Sequence, residues 1–146
     1  MPNLPRTGEK FVIGKASVIC TGDDVAFIAC GETVAVAYEA ARLLESKGVS
    51  AEVISMHTIN PLDKDAIIEV AKRCKAVITV EEHCVNGGLG EACASLLMQE
   101  RLFIPFKIVG FPDEETVTGS QAEIFDYYGI SGKGLMETAL NLLELR

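Results

Sequence analysis

Between Thr79 and Ala92 the sequence reads TVEEHCVNGGLGEA, placing Glu81, Glu82, His83 and Cys84 in a row ahead of Asn86, Gly87, Gly88 and Gly90. Residues of these types could serve four ends. Imidazole, thiolate and carboxylate side chains ligate metals, and two carboxylates can divide acid and base work. A glycine loop between a strand and a helix can present backbone N–H groups to a phosphate. The stretch could also do no more than turn a strand into a helix.

Spacing weighs against the first three. Consecutive residues on an extended chain point alternately to opposite faces, so Glu81 to Cys84 cannot converge as a set of four ligands. The only other histidine is His57. Adjacent glutamates do not form the separated pair that acid/base catalysis uses. The glycines match neither the dinucleotide nor the Walker spacing, no Walker lysine follows, and Glu81, Glu82 and Glu91 would repel an anion. Asp113 is a poor match for a ribose-binding acid. A tight turn explains more: glycine permits positive φ and close helix-to-strand approach, and Glu91 suits a helix N-terminus. G-x-S-x-G is missing, so no nucleophile elbow is expected.

The elements that would position this window alternate. Ser17–Cys20 and Val25–Cys30 are β-branched apolar runs around the turn Thr21-Gly22-Asp23-Asp24. A helix follows with Val36, Ala40, Leu43 and Leu44 at helical spacing, ending at Gly48 as its C′ residue. Strand Ala51–Met56 leads to Pro61 and to Asp63, which can cap a helix carrying Ile67, Val70 and Ala71. Strand Ala76–Val80 precedes the window, and a helix through about Gln99 follows it. Strand Pro105–Phe111, an acidic loop and two closing helices complete the chain. The last carries Leu135, Ala139, Leu142 and Leu143 on one face, and Tyr127 and Tyr128 are expected to anchor the helix before it. This alternation predicts an α/β three-layer sandwich with a mostly parallel sheet. A polar loop at the carboxyl end of a central strand would face the crevice where such proteins meet ligands or partners. His57 reads as a hydrogen-bonded loop histidine, with a role at a domain junction as the other reading.

Composition bounds the function. The chain has 146 residues, 49% of them hydrophobic and 23% charged, enough for one domain with its own core. With 21 acids against 13 bases the net charge is −8, which disfavours nucleic acid and anionic membranes as partners. The five cysteines form no C-x-x-C pair, and they read as buried, reduced thiols of a cytoplasmic protein. The opening MPNLP is no signal peptide, and no apolar run reaches the ~20 residues of a membrane span.

The stretches FVIGKASVICTGDDVAFIACG, ISMHTINPLDKDAI, VITVEEHCVNGGLGEA and FDYYGISGKGL succeed one another in an order that resembles transketolase C-terminal domains. The resemblance runs from about Phe11 to Leu143 and is nearest to the C-terminal half of transketolases split into two polypeptides. It implies a five-stranded mixed sheet of order 1-3-2-4-5 with strand 1 antiparallel, so that Cys30-Gly31-Glu32 and Glu81-Glu82-His83 flank the switch point. It also implies a thiamine diphosphate-dependent parent enzyme that moves a two-carbon ketol unit between sugar phosphates. The cofactor and its magnesium would sit on pyrophosphate- and pyrimidine-binding domains that 146 residues do not hold. No G-D-G motif is present, Gly22-Asp23-Asp24 being a strand turn.

On this reading residues 1–10 are a linker remnant and 11–146 the domain, either a fragment or a separately expressed unit. It would bind no cofactor or metal and supply no catalytic residue. Its partners would be the two other domains, within a homodimer. Glu82, His83, Gly87, Gly88 and Gly90 are the candidate interface or regulatory-ligand residues. The alternatives are a small-molecule regulatory domain, or the equivalent domain of a deoxyxylulose-phosphate synthase or 2-oxoacid dehydrogenase beta subunit.

Overall fold

The computed structural model describes residues 15–57, 61–84, 88–111 and 129–144 together with Glu123 and Tyr127, with backbone alone at 82–84 and 111. The segment 1–10, the acidic loop after Phe111, Tyr128 and most of the helix expected near 120–129 lie outside these residues. Tyr127 is 66% exposed, and the helix it is expected to anchor lies mostly outside the described residues.

The strands are β1 (Ser17–Cys20), β2 (Val25–Ala29), β3 (Ala51–Ser55), β4 (Ala76–Cys84) and β5 (Phe106–Phe111). They form one sheet of order β1-β3-β2-β4-β5. Strand β1 runs antiparallel to β3, and the other pairings are parallel. The helices are α1 (Thr33–Glu45), α2 (Lys64–Arg73), α3 (Leu89–Gln99) and α4 (Gly132–Glu144). Among the described residues no helix is long and apolar enough to cross a membrane.

Side-chain alternation on the strands builds two cores, one on each face of the sheet. Val25, Phe27 and Ala29 join Ala76, Ile78 and Val80 beneath Val34, Ala37, Leu44 of α1 and Leu135, Ala139 of α4. Ala26, Ile28 and Val77 face the other way, against Ile67 and Val70 of α2 and Leu89, Cys93 and Leu97 of α3. Every residue of β2 is buried, as a central strand covered on both faces requires.

The sequence punctuates the helices as expected. At the end of α1 the Gly48 N–H donates to Glu45 O (3.0 Å) and the Val49 N–H to Leu44 O (3.0 Å), with Gly48 at φ 78°. This is a Schellman closure around a C′ glycine. Asp63 caps α2 by accepting from the Ala66 N–H (3.2 Å), and its second oxygen accepts from the Ala16 N–H (2.7 Å). One buried carboxylate thus ties the helix start to the entry of β1.

One network has no counterpart in the local sequence pattern. At the amino-terminal end of the parallel strands, Arg73 at the end of α2 meets Glu52 of β3 (2.8 Å), Asp23 (3.0 Å) and Glu69 (2.8 Å). The Glu52 side chain is 3% exposed and also accepts from the Gly22 N–H (3.2 Å).

Candidate functional site

Strands β2 and β4 lie side by side, with Ala29 opposite Val80. From their carboxyl ends the chain leaves to opposite faces, through α1 into one core and through α3 into the other. The switch point expected from the strand order is therefore present, with Cys30 and Glu81 at its two lips. Thr33 closes it. Its hydroxyl oxygen lies 2.6 Å from Cys30 O and 2.9 Å from Val80 O, and accepts from the Cys30 N–H (3.2 Å).

On β4 the side chains of Val77, Thr79 and Glu81 share the face that meets α3. Glu81 is 1% exposed, and its carboxylate accepts from the Leu89 N–H (2.7 Å) and the Gly90 N–H (3.4 Å). The free N–H groups that open a helix carry a partial positive charge and attract anions. Here the anion is the protein's own. The sequence casts Glu81 as a charge that repels phosphate from this loop; in the fold it occupies the position a phosphate would take.

The glycines serve that arrangement. Gly88, the N-cap of α3, has φ −96°, and Gly90 is helical, so neither is needed for a positive φ. Close approach is the reason. A Cβ on Gly88 would lie 2.8 Å from Glu81 Oε1 and 2.9 Å from its Cδ. On Gly90 it would meet Ile108 Cγ1 (2.7 Å) and Thr79 Oγ1 (2.8 Å). Of the two reasons the sequence offers for glycine here, close approach applies at both positions and positive φ at neither.

Of the other sequence candidates, Glu82 and His83 lie within β4, which extends to Cys84 rather than stopping at Val80. The pairing of β4 with β5 slips between Val80 and Cys84, so this last part is irregular. The side chains of Glu82 and His83, and all of Gly87, are outside the described residues. Glu91 lies in the first turn of α3, as its sign suits.

Nucleophilic chemistry finds no support in Cys93, Cys74 or Cys20. Cys93 is fully buried under the window, and burial, with Glu81 nearby, pushes its thiol up to about 12. Burial likewise raises Cys74 to about 11 and Cys20 above its usual value. A thiol held protonated is a poor nucleophile and a poor metal ligand. Among the described residues no three His, Cys, Asp or Glu side chains gather as a metal site. His57 is a hydrogen-bonded residue, with Nε2 at 2.7 Å from Ser17 Oγ.

The strand order, the crossing at β2/β4 and the window at its lip match the arrangement that the sequence resemblance implies. A family profile described as "Transketolase, C-terminal domain" matches residues 14–135. The chain belongs to the transketolase C-terminal domain family. One of the subunits of the apulose-4-phosphate transketolase of Phocaeicola vulgatus is 42% identical over 135 residues, 92% of this chain and 43% of that protein. A 1-deoxy-D-xylulose-5-phosphate synthase of Halothermothrix orenii is 40% identical over 92% of this chain and 21% of its own length. Among solved structures, a split-gene transketolase described as an inactive beta4 tetramer superposes with a TM-score of 0.86 at 34% identity, covering 99% of this chain and 47% of that one. The chain therefore spans less than half the length of each of these relatives.

Proposed function

We propose that this chain is the assembly domain of a thiamine diphosphate-dependent transketolase, one that makes contacts between subunits while other domains carry the reacting groups. The observation that carries the reading is Glu81. At the switch point of an α/β sheet the helix N-terminus is the usual seat for a phosphate, and the chain's own carboxylate fills it. The described residues do not fit a diphosphate with its divalent cation at this place. What Glu81 does instead is bind β4 to the start of α3 through the Leu89 and Gly90 N–H groups.

In the parent enzyme thiamine diphosphate supplies the chemistry of ketol transfer, and this chain's part is geometric. A transketolase split into separate polypeptides is favoured as the parent, because the P. vulgatus relative is one subunit of its enzyme and the structural relative is a split-gene protein. A regulatory ligand at the window draws less support. A groove of about 600 Å³ lined by Tyr38, Arg42, Glu45 and Ser50 opens at the opposite end of the sheet, not beside the window.

Two measurements test the proposal. Calorimetry of the isolated chain with thiamine diphosphate and magnesium is expected to show no binding, and tight binding would overturn the reading. Mixed with a chain bearing the pyrophosphate-binding domain, and the pyrimidine-binding domain where that is separate, the protein should co-elute and permit ketol transfer. Turnover of pyruvate and glyceraldehyde phosphate in its place would assign the chain to a deoxyxylulose-phosphate synthase.

A further inference from the structure

We infer that the groove beside α1, at the amino ends of the parallel strands, binds a zwitterionic small molecule of the α-amino acid class. Its carboxylate would sit on Arg42 and its ammonium on Glu45. The site lies at the other end of the sheet from the window, and the inference stands independently of the assembly reading.

The groove follows from the strand order. Helices α1 and α4 pack on β2, β3 and β4, while β1 is the edge strand beside β3. The flank of α1 and the end of β1 therefore bound a step over the start of β3, with a volume of about 600 Å³. Pockets for small molecules commonly hold ~300–1,000 Å³.

On α1, Tyr38, Ala41, Arg42 and Glu45 fall at i, i+3, i+4 and i+7, so one flank of the helix lines the groove. Arg42 is oriented there. Its guanidinium carbon lies 5.9 Å from the centroid of the Tyr38 ring, and Nη1 donates to the Tyr38 hydroxyl (3.2 Å). Glu45 Oε2 stands 4.0 Å from Arg42 Nε, close enough to attract but too far for a hydrogen bond. Each charge thus keeps hydrogen-bonding capacity for a third group. On the turn before β3, Ser50 Oγ accepts from the Asp23 N–H (3.1 Å), which fixes the oxygen and leaves its proton to donate. Ala41, Val49 and Ala51 supply the apolar part of the lining.

The pairing of signs selects the ligand. One cation and one carboxylate give the lining no net charge, in a chain whose own net charge is −8. An anion such as phosphate would meet Glu45 as well as the acidic surface, and a simple cation would meet Arg42. A molecule with a carboxylate and an ammonium a few ångströms apart satisfies both. An apolar side chain on the same molecule would cover Ala41, Val49 and Ala51. Arg42 and Glu45 are well exposed, so each contact is screened and the affinity is low.

L-Phenylalanine titrated into the full chain should shift the backbone amide NMR signals of Gly48, Val49 and Ser50, with a Kd of about 1 mM. Two derivatives separate the charges. L-Phenylalaninamide at mildly acidic pH lacks only the carboxylate, and N-acetyl-L-phenylalanine lacks only the ammonium. Each should bind about fivefold more weakly. In Arg42→Gln the amino acid and its amide should bind equally, and in Glu45→Gln the amino acid and its acetyl derivative should do so. Circular dichroism checks that both variants keep the fold. No shift at these amides up to about 20 mM, or a derivative that binds as tightly as the amino acid, would overturn the proposal. So would a preference that survives in the matching variant. Inorganic phosphate should leave the same amides unmoved; tighter binding of phosphate would make this an anion site and overturn the assignment.

Discussion

The carboxylate of Glu81 and the backbone of Gly88 cannot both gain an atom: the Cβ of any other residue at 88 would lie within 2.9 Å of the Glu81 carboxyl carbon. The side chain is buried and held by the Leu89 and Gly90 N–H groups, so it has nowhere to retreat without giving up those bonds.

Gly88→Ala is therefore expected to destabilise the fold by about 1–3 kcal/mol through overpacking. Glu81→Ala should cost about 2–3 kcal/mol, because two helix N–H groups lose a charged acceptor. The changes meet at one place, so in the double variant Gly88→Ala should cost much less than it does alone. Urea denaturation of the four proteins checks this. Additive costs would show that Gly88 is glycine for a reason unconnected with Glu81.

Arg73 and Glu52 make the second prediction. Glu52 is buried on β3, and Arg73 is the cation that reaches it. Arg73→Met should cost about 3 kcal/mol, since it leaves a buried carboxylate without its cation. Replacing both, as Arg73→Met with Glu52→Gln, should recover part of that loss. Arg73→Lys should be intermediate, because a single ammonium cannot hold Glu52, Asp23 and Glu69 together as the guanidinium fork does. The midpoint of chemical denaturation orders the variants.

Much of this architecture could be read from the chain. The uninterrupted apolar run of β2, the Gly48 terminus of α1 and the Asp63 cap of α2 are local patterns, and local physics decides them. Residues whose roles depend on a distant partner were less legible. Glu81 carries the same charge as Glu82 beside it, and only the alternation of Val77, Thr79 and Glu81 along β4 hints that it turns inward. Arg73 and Glu52 stand 21 residues apart and meet because β3 begins at the edge of the fold where α2 ends. Nothing at Arg101 announces a left-handed conformation, because the usual glycine is missing there.

Alkaline pH supplies the third prediction. Burial raises the thiols of Cys74 to about 11 and Cys93 to about 12, from an ordinary value of 9.0. Above pH 9 the unfolded chain ionises these thiols while the folded chain keeps them protonated, so the folded state binds more protons and loses stability as pH rises. Each thiol contributes a slope of about 1.4 kcal/mol per pH unit, between pH 9 and 11 for Cys74 and between 9 and 12 for Cys93. Below pH 9 neither contributes. Cys93→Ala should lower stability at neutral pH by about 1 kcal/mol through the small cavity it leaves, yet flatten the alkaline limb by one thiol's share. Parallel limbs in the two proteins would contradict the assignment.

Thr79 gives a stabilising change. Its hydroxyl is fully buried on β4, and among the described residues it is the buried side-chain oxygen that finds no hydrogen-bond partner. A buried polar atom left unpaired costs about 1–3 kcal/mol, and valine keeps the branched shape without the hydroxyl. Thr79→Val should therefore raise stability by about 1 kcal/mol. A loss of stability would show that the hydroxyl has a partner, such as a bound water, and that the site is polar by design.

Arg101 carries the last prediction, through its backbone. Glycine adopts φ 59° without steric cost, whereas a side chain there opposes the left-handed conformation. The gain is partly offset by the greater freedom of glycine in the unfolded chain, which leaves a net stabilisation of about 0.5–1 kcal/mol. The variant should thus unfold at higher denaturant concentration than the wild type. Alanine at this position keeps the strain, so Arg101→Ala should show no such gain. Equal stabilisation by glycine and alanine would mean that the backbone conformation of Arg101 carries no cost.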